Sequence, residues 1–324
     1  MPFEKSVLVP LEADETFALI TEPARLRRWQ AVTARVDLRV GGEYRWTIIP
    51  GNTAGGTFTE VEPGKRVVFS WGWEGSAELP SGASTVTITL EPADGGTVVR
   101  LVHEGLTDEQ AASHAEGWNH YLGRLVTAGA DGEAGADPWF GFVKEMTPLQ
   151  VAEAALAACQ LVLRGAEASR EAKVASCPEF TMAQLAEHLL GSVTSLGGAA
   201  GAQFPTGADP ARPMETAIAD AAQPALEAWT RRGLDGTVSV GGMELPATIA
   251  ASILGIEFLV HAWDFAQVTG QQFTVPDLVV QHVLDAARTI ISPGFRAGRF
   301  ADEVPAGPDA GLLDRLVAFT GRAA

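Results

Sequence analysis

The strand-like and helix-like segments of this chain are separated along its length: alternating, β-branched segments end near His103, and helical periodicity dominates after Thr107. Each sheet face or helix stripe must bury itself against a partner layer, so this order predicts an α+β unit followed by a helical one. The length supports the division, because 324 residues exceed what one hydrophobic core usually organises.

Residues 6–9, 32–40, 43–49, 56–61, 66–73, 84–90 and 97–103 read as strands, with Gly41-Gly42 and Asp94-Gly95-Gly96 as turns of an antiparallel meander. Residues 14–29 read as one or two short helices. Thr107 and Gln110 form a capping box that opens a longer helix running to about Val126. A curved sheet wrapped around that helix, with a mouth between them, is the natural packing. Residues 129–137, rich in Gly, Ala and acid, read as a linker. Thr147-Pro148-Leu149-Gln150 then supplies an N-cap, a proline in the first turn and a capping glutamine. Helices are expected at 148–164, 181–195, 214–231, 246–268, 276–291 and 312–319, with a small hairpin at 237–245, giving an antiparallel helical bundle with one insertion.

The net charge of −17 is spread evenly: 12 Lys and Arg stand against 21 Asp and Glu up to Met146, and 11 against 19 beyond it. Neither half offers a basic face, which argues against nucleic acid and anionic membrane as partners. Residues 1–10 lack a basic segment followed by an apolar one, and no uninterrupted apolar run approaches 18 residues, so a cytoplasmic protein is expected. Cys159, in a helical run, and Cys177, read at a helix entrance before Pro178, are expected to be free thiols used for packing.

One helix carries a puzzle of charge. At about 100° per residue, Ala250, Ile253, Leu254, Glu257, Val260, His261, Asp264, Phe265 and Val268 share a face, so three ionisable groups point toward a core. Burying them requires an ion pair, a hydrogen-bond network or a metal ion. His188 lies at the edge of the apolar face formed by Met182, Leu185, Ala186, Leu189 and Val193. His103, His114, His120 and His282 have no matching partner at useful spacing and read as core-edge or surface residues.

Two resemblances follow from particular residues. Segment 17–29, Val36-Asp37-Leu38-Arg39-Val40-Gly41-Gly42, Gly56-Thr57-Phe58, Phe69-Ser70-Trp71, Gly117-Trp118 and Asp137-Pro138-Trp139 resemble the START-like (SRPBCC) superfamily, in the branch of the Hsp90 ATPase activator homologues. This implies a helix-grip domain over residues 1–142. Cys177-Pro178, Phe180-Thr181, the block around His188, His261-Ala262-Trp263-Asp264 and the tail 300–322 resemble the DinB-like metal-binding bundles, and more closely the actinobacterial proteins related to mycothiol-dependent maleylpyruvate isomerase. This implies an all-α, DinB-like four-helix bundle over residues 143–324.

The second resemblance implies that His188, Glu257 and His261 bind a divalent metal. Imidazole and carboxylate suit zinc, and three protein ligands leave a position open for catalysis. The alternative is a buried hydrogen-bonded pair without metal. Asp264 reads as an orienting group or general base at that site, and equally as the buried partner of an arginine. In the first half, Tyr44, Trp46, Phe58, Phe69, Trp71 and Trp118 are expected to line a pocket for an apolar ligand. The leading expectation is an enzyme that uses a low-molecular-weight thiol such as mycothiol on a small electrophilic or apolar substrate. The alternative is a non-catalytic binding protein for a hydrophobic small molecule, with a structural or vestigial metal. A homo-oligomer is compatible with either.

Overall fold

The computed structural model describes residues 2–142, 145–205, 211–296 and 300–323. The chain divides into two compact units, Met1–Asp137 and Pro138–Ala324, against an expected boundary at 142/143.

In the first unit, strands β1 (Phe3–Val9), β2 (Thr33–Val36), β3 (Glu43–Ile49), β4 (Asn52–Glu62), β5 (Arg66–Trp71), β6 (Ser84–Ala93) and β7 (Gly96–Glu104) form one antiparallel sheet. Its order is β1-β7-β6-β5-β4-β3-β2, a meander with the first strand returned beside the last. Helices α1 (Ala13–Thr21) and α2 (Pro23–Leu26) fill the connection from β1 to β2, and α3 (Asp108–Asp131) follows β7. The Thr107 hydroxyl accepts from the Gln110 backbone N–H, and the Gln110 side chain accepts from the Thr107 N–H, so the expected capping box starts α3. Trp118, Tyr121, Leu122, Leu125 and Ala128 recur at helical spacing on its buried face.

Two local expectations give way here. Strand β2 stops at Val36 instead of Val40, because Arg39 N–H bonds Asp37 O and Gly42 N–H bonds Arg39 O, tightening a loop in which Gly41 has φ +79°. Leu38 and Val40 are thereby left exposed. The expected linker from 129 is still helix as far as Asp131. A Cβ at position 129 would lie 2.6 Å from Val9 Cγ1, so Gly129 serves close approach of α3 to β1 rather than flexibility.

His103, expected at a core edge, is fully buried. Trp118 Nε1–H donates to its Nδ1 at 3.0 Å, and its Nε2 lies 2.8 Å from the Ser84 hydroxyl, which itself bonds Trp71 O at 3.1 Å. A ring that accepts at Nδ1 is neutral. Burial, reinforced by nearby His114, pushes its pKa down to about 3. Between pH 6.5 and 3 the unfolded imidazole therefore binds a proton that the folded one refuses, and stability is lost as pH falls through that window. Urea midpoints measured by tryptophan fluorescence should fall from pH 6.5 to 4 in the wild type, and His103→Gln should reduce that slope by up to about 1.4 kcal/mol per pH unit. An unchanged slope would refute the neutral-histidine network.

In the second unit, α4 (Pro148–Arg164), α5 (Met182–Ala199), α6 (Met214–Arg232) and α7 (Ala247–Thr269) each pack on two of the others: α4 on α6 and α7, and α5 on α6 and α7. Helix α8 (Asp277–Ile290) packs on α7 and α4, α9 (Pro293–Arg296) is a single turn, and α10 (Leu312–Phe319) packs on α8. The unit is not all-α. Besides the expected hairpin, β10 (Thr237–Val240) with β11 (Met243–Pro246), it contains β8 (Lys173–Val174) with β9 (Cys177–Thr181). Cys177 thus begins a strand, and the helix entrance is Thr181, whose hydroxyl forms a capping box with Gln184.

Helix α7 is buried on all sides, with Phe258, Leu259, Ala262 and Ala266 as inaccessible as Leu254 and Phe265. The one-faced stripe expected from sequence is part of a helix apolar all round. Among the described residues α7 is the one helix long and apolar enough to cross a membrane, although Ser252, Glu257 and His261 interrupt its apolar run. Its apolar surface is largely buried within the protein, as in a core helix.

Candidate functional site

Helices α5 and α7 bring His188, Glu257 and His261 together. His188 Nε2 and His261 Nε2 stand 3.9 and 3.6 Å from the same oxygen, Glu257 Oε2. One donor atom from each residue lies within 4.8 Å of the others. A tetrahedral ion with ligands near 2.1 Å needs donors about 3.4 Å apart, so small side-chain movements would close this set on a metal. The two imidazoles meet edge to face at 5.5 Å, and Phe180 stacks on His188 at 5.7 Å. Glu257 Oε2 is buried without a hydrogen-bond partner, since 3.6 Å is beyond hydrogen-bond reach. Burial favours its protonated form, yet the two imidazoles and Ser192 outweigh burial and hold the carboxyl below its usual range. An ionised, buried oxygen facing two imidazole nitrogens is the donor chemistry of a cation site.

Behind His261 lies Asp264, completely buried. Arg322 donates to it twice, Nε to Oδ1 and Nη2 to Oδ2, both at 2.7 Å. Ser176 Oγ donates to Oδ1, and His261 Nδ1 lies 3.0 Å from Oδ2. Burial opposes the charge on both His261 and Asp264, but their mutual hydrogen bond, with Glu257 on one side and Arg322 on the other, wins. His261 is pushed up to about 9 and Asp264 down to about 2. Asp264 therefore combines both readings of the sequence, orienting a histidine and pairing with an arginine, while its burial keeps it from contact with any substrate.

Glu257, His261 and His188 face a cavity of about 660 Å³, walled mainly by apolar residues of α5, α7, the β10–β11 hairpin and the segment after α8. Cys177 and Arg322 also line it, with Arg322 Nη2 3.7 Å from Cys177 Sγ. Burial and nearby Asp264 raise the Cys177 pKa, so the group is a thiol at neutral pH. Sequence reasoning missed Arg322, Ser176 and Ser192. The signal for Arg322 was indirect: a carboxylate on a buried face demands a cation.

The six aromatic residues expected to line a pocket in the first unit pack on one another. Tyr44 lies 4.2 Å from Trp46 and 5.6 Å from Phe58 between ring centroids, and Trp71 lies 5.1 Å from Trp118. Trp46, Phe69 and Trp118 border a cavity of only about 10 Å³; Tyr44, Phe58 and Trp71 do not touch it.

Residues 10–129 match the family described as Activator of Hsp90 ATPase homolog 1-like protein. The first unit is an AHSA1-like domain. An AHSA1-like protein of Rhizobium etli is 38% identical, with 45% of this chain and 91% of that one covered at a TM-score of 0.36. The Aha1 dimer of Colwellia psychrerythraea is 18% identical, covering 41% and 98%, with a TM-score of 0.37. An uncharacterized protein of Mycobacterium tuberculosis is 33% identical over 183 residues, 55% of this chain and 98% of that protein. That stretch is longer than the AHSA1-like unit, so it extends into the second unit, and this chain belongs to the same family as that protein. The space bordered by Trp46, Phe69 and Trp118 would admit a ligand only if rings of the aromatic cluster moved.

Removing one partner of a buried ion pair leaves the other charge uncompensated. Arg322→Ala should lower the unfolding free energy by about 3–5 kcal/mol in urea titrations. The side chain of His188 is 47% exposed, and His188→Ala should change it by under about 1 kcal/mol. Equal effects of the two substitutions would contradict this division between a structural pair and an accessible ligand.

Proposed function

We propose that the second unit is a metal-dependent enzyme of the DinB-like, mycothiol-dependent isomerase type, acting on a small electrophilic or apolar substrate. The observation that carries this reading is the unpartnered, buried Glu257 Oε2 facing His188 Nε2 and His261 Nε2 at the wall of a large cavity. His188, Glu257 and His261 would hold the ion, zinc being the simplest choice for this donor set. A divalent ion in such a site supplies Lewis acidity, which lowers the pKa of a coordinated thiol or water.

The remaining work belongs to this chain's own side chains. Asp264, held by Arg322 and Ser176, accepts the Nδ1 proton of His261 and so turns Nε2 toward the cavity, where a bound ion would take the place of the Nε2 proton. Asp264 is thus a positioning residue. Glu257, ionised despite burial, provides the compensating negative charge. The apolar wall excludes water and receives the substrate, and the open side of the triad leaves room for a low-molecular-weight thiol such as mycothiol as cosubstrate. A second reading, a hydrophobic small-molecule binding protein, draws support from the AHSA1-like domain.

Metal analysis of protein purified without chelators, followed by zinc calorimetry, tests the first reading. One zinc per chain is expected in the wild type, with at least a tenfold weaker Kd in His261→Ala and Glu257→Gln. Asp264→Asn should weaken zinc by about 10- to 100-fold. A wild type that binds no divalent ion ends the metal reading. Zinc-loaded protein that, given mycothiol, neither consumes nor isomerises any electrophile tried ends the thiol reading and favours the binding protein.

A further inference from the structure

The cavity beside His188, Glu257 and His261 has a volume within the range of small-molecule sites, about 300–1,000 Å³, whereas the one bordered by Trp46, Phe69 and Trp118 has room for about one water. Its wall is apolar on three sides. Helix α5 contributes Leu185 and Leu196, and α7 contributes Ile253, Ile256 and Val260. The β10–β11 hairpin adds Val240, Met243 and Leu245, turning through Gly241 and Gly242 at φ +57° and +82°. Met243 remains 41% exposed although large and apolar, beside the cavity it lines. Ile290, Ile291, Phe295 and Phe300 add further apolar wall.

Charge narrows the occupant further. Among the described residues Arg322 is the one Lys or Arg lining the cavity, and its Nε and Nη2 are both engaged by Asp264. Glu179 and Glu257 line it as well. Against this wall a phosphate-bearing or multiply anionic ligand would meet carboxylates and no unengaged cation, and a sugar would leave most of its hydroxyls facing aliphatic carbon, so the hydroxyl-rich part of a thiol such as mycothiol would have to stay on the open side of the triad, off the apolar wall.

We infer that this cavity binds a small, predominantly apolar molecule, neutral or singly charged, whose one Lewis-basic head group lies against His188, Glu257 and His261. The position of the head group rests on the metal reading above; the apolar character rests on the wall alone. The apolar ligand is thereby assigned to the second unit, not to the aromatic cluster of the AHSA1-like domain.

Calorimetric titration of the zinc-loaded full-length protein with straight-chain monocarboxylates from butanoate to decanoate tests this. Affinity should rise about fourfold per added methylene until the cavity is filled. Val240→Asp and Met243→Asp sit on the hairpin, and circular dichroism would verify that they fold. Each should weaken decanoate at least tenfold and leave butanoate unchanged. A series without length dependence, or decanoate binding untouched by both substitutions, overturns the inference. Repeating the series without zinc separates the two readings: retained length dependence with no zinc uptake removes the metal site and leaves the apolar site standing. Zinc uptake with a flat series does the reverse.

Discussion

A carboxylate with no access to solvent, Asp264, is the constraint on which the second unit depends. Left alone in an apolar interior, such a charge would be strongly unfavourable. Here Arg322, Ser176 and His261 all bond it, so three segments distant in sequence converge on one group: the end of the chain, the β8–β9 hairpin and helix α7. The same network fixes the orientation of the His261 ring. Structural integrity and the aim of a candidate ligand are therefore one physical arrangement, and neither can be altered without the other.

The two units solve the problem of an interior differently. The AHSA1-like unit fills the space between sheet and α3 with interlocked aromatic rings and a neutral, fully bonded His103. At His103 the imidazole and the Trp118 indole are matched internally, whereas the buried indole N–H groups of Trp46 and Trp71 have no hydrogen-bond partner among the described residues. The second unit leaves a large cavity between its central helix, α5 and the β10–β11 hairpin, and concentrates polar groups at Glu257, His261 and His188. Apolar walls around a few convergent polar groups describe a small-molecule site. A cavity large enough for a small ligand thus lies beside the candidate metal donors.

Particular residues show where the sequence was readable. Thr107 with Gln110 and Thr147 with Gln150 announced two helix starts because a capping box satisfies backbone donors locally, with no need of the rest of the fold. The strand order of the meander was legible from alternation and glycine turns. Gly129 misled, since a glycine admitted for close packing against Val9 is indistinguishable in sequence from one in a linker. The β8–β9 hairpin escaped because β8 is only two residues long. On α7, the three ionisable groups stood out against their neighbours, but the helix's burial on every side did not.

Local chemistry, then, was determined by the sequence itself: which segments are strands or helices, where helices begin, and that Glu257, His261 and Asp264 share one face of α7. These depend on residues within a few positions of one another, so period and capping reveal them. Tertiary structure alone decided that His188 faces Glu257 across two helices, that Arg322 reaches Asp264, that the first unit's aromatic cluster is closed and that the second unit's cavity is open. Glu257 follows His188 by 69 residues and Arg322 follows Asp264 by 58, and such distances are set by the packing of whole helices and sheets rather than by any local preference.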